Sequence, residues 1–364
     1  MQISDLETPA LLVDLDCMER NLCRVAHYAK EHDLRLRPHT KTHKIPEIGR
    51  QQIELGAAGL TVAKVGEAEV MLSSGTPDLL VAYPVIGAAK LRRLMEVARR
   101  TRVTVALDSV AAARQLSEAA RAARVGVGVL VEAEVGMGRC GVAIGEELVT
   151  LAQAVQRLPH LTLEGVAFYP GHIRSAGEEN QRLLDQLKAD VTRIVEDFQR
   201  AGLELGILSA GSTPLLFQSH LFPGVTEIRP GTYVFHDVNC VRSGMAAWED
   251  CAVTILVTVV STARQGYAIM DGGSKTFSSD RLAGTNLMSF GRVIEAPEAV
   301  CYSQNEEHGY LDLRKCRRDL QVGDRLRIVP NHVCVAMNLH EQVYGVRGEA
   351  VEQVWRVEGR GKLQ

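Results

Sequence analysis

The chain has 364 residues, 46% of them hydrophobic and 23% charged, with a formal net charge of −3. That is enough for one large domain or two ordinary ones, with the balance of a globular rather than a disordered protein. No long basic run offers nucleic acid a docking stripe, no apolar run reaches bilayer-spanning length, and the start Met-Gln-Ile-Ser-Asp lacks both the basic region and the apolar core of a signal peptide.

The eight cysteines are scattered with no CxxC pair, which fits a reducing cytoplasm better than a disulfide framework.

In chain order, residues 10–16 read first as a strand. From residue 34 to about 235 a rhythm then repeats: a short apolar or β-branched run, a turn, a helical pattern. The strand-like runs are 34–41, 59–64, 78–83, 102–108, 125–134, 163–169, 205–211 and 227–235. Helical stretches lie between them, such as 87–100 with Leu91, Leu94, Met95 and Ala98 on one stripe, then 109–124 and 177–201. Eight strands alternating with helices predict an α/β fold with a (β/α)8 TIM barrel; an open doubly wound sheet is the alternative. After about residue 245 the rhythm changes. Runs at 251–261, 266–270, 324–329 and 351–357 read as strands with little helix between them, a second, mostly β domain. The expected boundaries are 18–245 for the barrel and 246–364 for the β domain, with the N-terminal strand (1–17) pairing into the latter.

Active sites of such barrels sit at the C-terminal ends of the strands. The first run, Leu-Arg-Leu-Arg-Pro-His-Thr-Lys, alternates, so Arg37, His39 and Lys41 would share one face of a strand and converge on an anion, a cofactor or a substrate. A solvated basic edge strand is the plain alternative. A lysine at a strand end among other cations suits Schiff-base chemistry. The later ends carry Lys64, Tyr83, Asp108, Glu134 followed by Arg139, and Tyr169 followed by His172. A phosphate site in these barrels lies after strands seven and eight, where this chain has Gly211-Ser212-Thr213-Pro214 and Pro230-Gly231-Thr232-Tyr233. Lysine and cradle together fit pyridoxal phosphate. Arg139 could donate to the ring hydroxyl oxygen or, as a loop arginine, pair with Glu132 or Glu134. Tyr169 and His172 could border the ring or simply pack.

Two further groups lie in the β domain. In Val329-Pro330-Asn331-His332-Val333-Cys334 an extended chain would point His332 and Cys334 the same way. An imidazole and a thiolate can share one metal, favour zinc over magnesium and leave open positions, the mark of a catalytic site; a lone His-x-Cys is also common in cores. Gln304-Asn305-Glu306-Glu307-His308-Gly309 could support substrate or metal, or be a charged hairpin turn.

With these residues assembled, the chain resembles fold-type III pyridoxal-phosphate enzymes, and more narrowly the D-threonine aldolase and D-serine dehydratase family. The motifs run in family order from residue 8 to 334: Thr8-Pro9-Ala10 with Val13-Asp14-Leu15-Asp16, Arg37-Pro38-His39-Thr40-Lys41-Thr42-His43-Lys44, Gly138-Arg139-Cys140-Gly141, Gly211-Ser212-Thr213-Pro214, Glu227-Ile228-Arg229-Pro230-Gly231-Thr232-Tyr233, Glu307-His308-Gly309 and Pro330-Asn331-His332-Val333-Cys334. The resemblance implies Lys41 as the Schiff-base lysine and a cofactor bed of His39, Arg139, Tyr169, His172, Gly211, Ser212, Thr213, Gly231, Thr232 and Tyr233. It also implies a divalent metal on His332 and Cys334 (zinc favoured, manganese or magnesium as alternatives), a homodimer, and a small D-amino acid substrate. Dehydratases of the family carry His-x-Cys, as here, whereas Met337-Asn338-Leu339-His340 and Gly273-Ser274-Lys275 look more like the aldolase branch. The expected activity is retro-aldol cleavage of a D-3-hydroxy amino acid, with dehydration to a keto acid and ammonia as the alternative. An amino-acid racemase would need a second acid/base, usually a β-domain tyrosine, and no such motif is visible. A non-catalytic cofactor carrier would resemble the barrel alone.

Overall fold

Alternation along eight short parallel strands organises the larger part of the computed structural model, which describes residues 1–175, 177–283 and 287–364. After strand β1 (Ala10–Asp14) and helix α1 (Leu15–Glu31) come β2 (Arg35–Leu36), α2 (Pro46–Glu54), β3 (Leu60–Val62), α3 (Val65–Met71), β4 (Asp78–Val81), α4 (Ala88–Ala98), β5 (Arg102–Leu107) and α5 (Val110–Ala123). Then follow β6 (Val127–Ala133), α6 (Glu146–Gln156), β7 (Leu161–Phe168), α7 (Gln181–Arg200), β8 (Ile207–Ala210) and β9 (Glu227–Ile228). The sheet order is β2-β9-β8-β7-β6-β5-β4-β3, all parallel. Its two ends meet. His39 bridges Thr61 in parallel, the Thr61 N–H donates to the Pro38 carbonyl at 2.8 Å, and the Ala58 N–H donates to the Leu36 carbonyl at 2.8 Å. The expected eight-stranded barrel is therefore present, and the open sheet is excluded.

Strand geometry sends alternate residues to opposite faces. Outward-facing Leu79, Val81, Val103, Val105, Leu107, Val129, Val131, Val166 and Leu208 pack with the buried stripes of the helices in one large core. On α4 that stripe is Leu91, Leu94, Met95 and Val97, with half-buried Ala98 packed against the same core as expected. Inward-facing Leu80, Ala106, Leu130, Ala167 and Ile207 form a small cluster within the barrel. Several of the remaining inward positions are polar. Arg37 is buried and donates through Nε to Glu227 at 2.9 Å and through Nη1 to Asp78 at 2.7 Å, while the Ser209 hydroxyl donates to Glu227 at 2.6 Å. In β7 an extra residue, Glu164, falls between the partners of Val129 and Leu130, and its carboxylate accepts from Arg102 and Thr104. Such a bulge suits a glycine: Gly165 has φ +146, and a Cβ there would lie 1.9 Å from the Ile207 carbonyl oxygen.

The chain divides into two compact units. The barrel unit is Arg24–Lys41, Pro46–Gly231 and Gly361–Gln364; the β unit is Met1–Cys23, Thr42–Ile45 and Thr232–Arg360. In the β unit lie α8 (Val238–Arg242), β10 (Val253–Ser261), β11 (Tyr267–Met270), α9 (Ser274–Phe277), β12 (Arg292–Val293), β13 (Val300–Gln304) and β14 (Gly309–Asp312). It ends with β15 (Arg325–Val329), α10 (Val333–Leu339), β16 (Gln342–Arg347) and β17 (Ala350–Arg356). The sheet runs β13-β14-β11-β10-β1-β16-β17, with β15 paired to β10 and β12. N-terminal β1 is a central strand here, antiparallel to β10 and parallel to β16. No helix among the described residues is long and apolar enough to cross a membrane.

Candidate active site

The basic run at the end of β2 is not one strand with three aligned cations. Pairing stops at Leu36, the chain stays extended as far as His39, and Thr40–Thr42 closes into a 3-10 turn. The physical reason lies in the partners: the His39 N–H donates to the Pro230 carbonyl at 2.9 Å, and the Lys41 N–H folds back on His39 Nδ1 at 3.4 Å. Arg37 needs no ligand anion, because Glu227 and Asp78 supply two carboxylates inside the barrel. Lys41 is a different case. It is half-buried, and its ammonium makes no hydrogen bond or ion pair among the described residues.

The loop after β9 lies next to His39, and the loop after β8 joins it. Gly231 follows Pro230, the partner of His39, and its N–H donates to the Thr213 hydroxyl at 3.4 Å. The Gly211 N–H donates to the Phe168 carbonyl at 3.1 Å. A Cβ on Gly211 would stand 3.0 Å from Arg229 Nη2 and 3.1 Å from Tyr169 Cδ2, so only glycine leaves this corner open. The Ser212 hydroxyl is buried and has no hydrogen-bond partner. A buried hydroxyl without a partner costs free energy unless a ligand accepts or donates there. The glycine corner and the orphaned Ser212 Oγ fit the phosphate of pyridoxal phosphate. Gly211, Ser212, Thr213 and Gly231 are thus brought together; Thr232 and Tyr233 belong to a 3-10 turn of the β unit.

Across the barrel mouth the Arg139 guanidinium lies over the Tyr169 ring at 4.5 Å and 3.8 Å from Glu132 Oε1. The carboxylate it meets is Glu132; Glu134 instead accepts the N–H groups of Gly136 and Gly138, closing its own loop. Burial raises the Glu132 carboxyl above the usual range, against the pull of Arg229 and Arg139. His172 edges against Gly136, and its Nδ1 is a second buried atom with no partner. Arg229 stands in a strand-end motif of the sequence, which gave it no role of its own. It is buried, donates to the Ser209 hydroxyl and the Phe168 carbonyl, and has its pKa lowered by burial. Its signal was alternation: Arg229 follows Glu227 by two residues and so shares its inward face.

In the β unit the chain does not stay extended after β15. His332 caps α10 and Cys334 lies in its first turn, yet the two side chains interact. The reason is Asp237, whose Oδ2 accepts from His332 Nδ1 at 3.0 Å and from the Val333 N–H at 3.1 Å. Cys334 and then Asp237 raise the His332 pKa, outweighing burial. Cys334 Sγ is hydrogen-bonded to the Thr42 hydroxyl at 3.3 Å. With Nδ1 engaged, Nε2 and the sulfur remain as donors, a soft pair that fits a divalent metal such as zinc. Among the described residues no three His, Cys, Asp or Glu side chains are grouped closely enough to hold a metal by themselves. Asp237 is a residue sequence reasoning missed. The acidic cluster 304–309 is a hairpin turn between β13 and β14, closed by the Asn305 N–H on the His308 carbonyl, with Glu307 paired to Lys275 at 2.6 Å.

Known proteins share this architecture. The alanine racemase N-terminal domain family model matches residues 13–238, and that of a putative serine dehydratase domain matches residues 252–346. The chain is 34% identical over 375 residues to a 3-hydroxy-D-aspartate aldolase of Paracoccus denitrificans (strain Pd 1222), covering 100% of this chain and 94% of the relative. It is 32% identical over 372 residues to a D-threo-3-hydroxyaspartate dehydratase of Delftia sp. (strain HT23), covering 96% and 97%. Among solved structures, a D-threonine aldolase from Filomicrobium marinum superposes with a TM-score of 0.92 at 32% identity, covering 99% of this chain and 98% of that one.

Proposed function

Because this chain belongs to the family of fold-type III pyridoxal-phosphate enzymes that joins an alanine racemase N-terminal domain to a serine dehydratase domain, we propose that it is a lyase cleaving D-3-hydroxy amino acids to glycine and an aldehyde. The observation that carries this reading is the presence, in one chain, of Lys41 at the end of the first barrel strand, of the glycine corner with the orphaned Ser212 hydroxyl, and of the His332–Cys334 pair braced by Asp237. Likeness to two aldolases over nearly the whole chain supports cleavage. When bound, pyridoxal phosphate supplies an electron sink and the divalent metal a Lewis acid toward the β-hydroxyl.

The chain's own residues do the rest. Lys41 would hold the cofactor through Nζ and would serve as a free amine in the substrate-bound enzyme. Gly211, Ser212, Thr213, Gly231 and Thr232 hold the phosphate, with backbone close approach where Gly211 lacks a side chain. His39, Tyr169, His172 and Tyr233 border the ring. Arg139, already over Tyr169, keeps the ring oxygen ionised, and its pairing with Glu132 fixes its direction. His332 and Cys334 would hold the metal, two protein donors that would leave room for water and substrate; the thiolate would favour zinc over manganese or magnesium. The same reading includes a homodimer in a reducing cytoplasm, supported by the family likeness and by eight free cysteines.

A second reading, dehydration to a keto acid and ammonia, is favoured by the likeness to the Delftia dehydratase and would use the same metal pair. Product analysis decides. The purified protein, loaded with pyridoxal phosphate and zinc, is incubated with D-threonine, D-serine and a D-3-hydroxyaspartate. Glycine and aldehyde in equal amounts, lost with chelator, are expected. Keto acid without aldehyde refutes the aldolase; racemisation that survives chelator refutes the lyase. The Lys41→Ala variant is expected to lose the cofactor's visible absorbance and all turnover.

A further inference from the structure

We propose that Asp237 is a positioning residue for the metal pair: it fixes His332 in the form that ligates through Nε2 and itself stays outside the coordination shell. The inference rests on the reading that His332 and Cys334 hold a divalent metal. Asp237 is fully buried. Its Oδ1 accepts the Cys240 N–H at 2.9 Å, capping α8, and its Oδ2 accepts both the Val333 N–H at 3.1 Å, at the start of α10, and His332 Nδ1 at 3.0 Å. One carboxylate therefore serves the first turns of two short helices and the imidazole.

This geometry separates two roles that an aspartate near a metal can play. To become a ligand, the carboxylate would have to turn an oxygen away from one helix end and leave a buried N–H without a partner, at a cost in free energy. To act as a brace it need not move at all. A carboxylate on Nδ1–H holds the proton on that nitrogen, keeps the ring from rotating and makes Nε2 the better donor. The bond also explains how a chain that turns into a helix at Val333 still presents His332 beside Cys334. Two of the hydrogen bonds that Asp237 accepts come from backbone groups, Cys240 N–H and Val333 N–H, so the brace is set by the fold before any metal arrives.

Asp237→Asn tests this, because an amide has one acceptor oxygen where two backbone N–H groups and His332 Nδ1 converge. If its oxygen faces Cys240, its NH2 opposes His332 Nδ1–H and drives the imidazole proton to Nε2, the donor atom. Zinc affinity, measured by competition with a chromophoric chelator, is expected to fall about 10- to 100-fold, while the cofactor's absorbance and the far-UV circular dichroism stay those of the wild type. Unchanged zinc affinity in that variant overturns the proposal. Where the variant does not fold, the wild-type protein loaded with NMR-active cadmium gives the answer: metal coupling to His332 Nε2 is expected, and coupling to Nδ1, or an aspartate oxygen in the shell by X-ray absorption, overturns it. Cys334→Ser serves as the separate control. If wild type binds no zinc, or Cys334→Ser binds it as tightly, the metal reading itself fails and the brace falls with it; if only Asp237→Asn is silent, the metal reading stands and the brace alone is wrong.

Discussion

Replacing Arg37 with methionine is expected to cost stability and not cofactor binding. Methionine keeps much of the aliphatic length and removes the guanidinium. The arginine side chain is 1% exposed, and its partners Glu227 and Asp78 are 0% and 6% exposed. Removing one member of a buried ion pair costs about 3–5 kcal/mol, because the remaining charge has no water to turn to. Two carboxylates lose a partner here, but neither is stripped bare. Asp78 keeps Arg102 at 3.6 Å, and Glu227 keeps the Ser209 hydroxyl at 2.6 Å and Arg35 at 4.0 Å. We therefore expect about 3–5 kcal/mol rather than twice that, read as a lower urea midpoint by far-UV circular dichroism and as faster hydrogen exchange in β2 and β9. The triple change Arg37→Met, Asp78→Asn, Glu227→Gln should recover much of the loss, since well-packed neutral replacements of buried ion pairs are often tolerated. A loss below about 1 kcal/mol together with weakened pyridoxal phosphate binding would refute the reasoning and return Arg37 to the site.

Gly165→Ala is expected not to accumulate as folded protein, because its Cβ would sit 1.9 Å from the Ile207 carbonyl oxygen at φ +146; a soluble variant with a native melting temperature contradicts this. Gly211→Ala is a milder change: the new methyl forces Arg229 and Tyr169 to give by a few tenths of an ångström, so the dissociation constant for pyridoxal phosphate should rise with the melting temperature little changed. The His220 imidazole stacks on His32 at 3.8 Å; burial first and then His32 lower its pKa, against Glu31. A depressed histidine contributes stability that is present above its unfolded pKa and lost as pH falls through the folded one. Wild-type melting temperature should thus drop more steeply than that of His220→Gln between about pH 7 and pH 5; parallel curves would refute it. Among the thiols, exposed Cys23 should react first with an aromatic disulfide, while Cys301, pushed up to about 12 by burial, stays silent until unfolding. A fast phase that survives Cys23→Ser would contradict this.

Local pattern was sufficient wherever a residue's role depends on its near neighbours in the chain. Runs such as Val103, Val105 and Leu107 announce barrel strands because outward apolar faces must pack on helices, and eight such runs with helices between them leave few architectures. The glycine corner after β8 was readable as a turn for the same reason, since glycine, serine and threonine after a strand bring backbone and hydroxyls together; that it holds a phosphate is the proposal. What only the tertiary structure decided is which charges neutralise which. Arg37 looks like a ligand-binding cation in sequence, but Glu227 lies 190 residues away and reaches it only because β9 pairs with β2. Arg139 finds Glu132 rather than Glu134 because the intervening loop spends the Glu134 carboxylate on its own N–H groups. His332 and Cys334 were legible as a pair, but for a wrong reason. Extension did not bring them together; a carboxylate 95 residues upstream did, by capping the helix that starts between them. Charges and buried donors are satisfied by whatever the fold places within about 3 Å, and that proximity is a property of the closed structure, not of spacing along the chain.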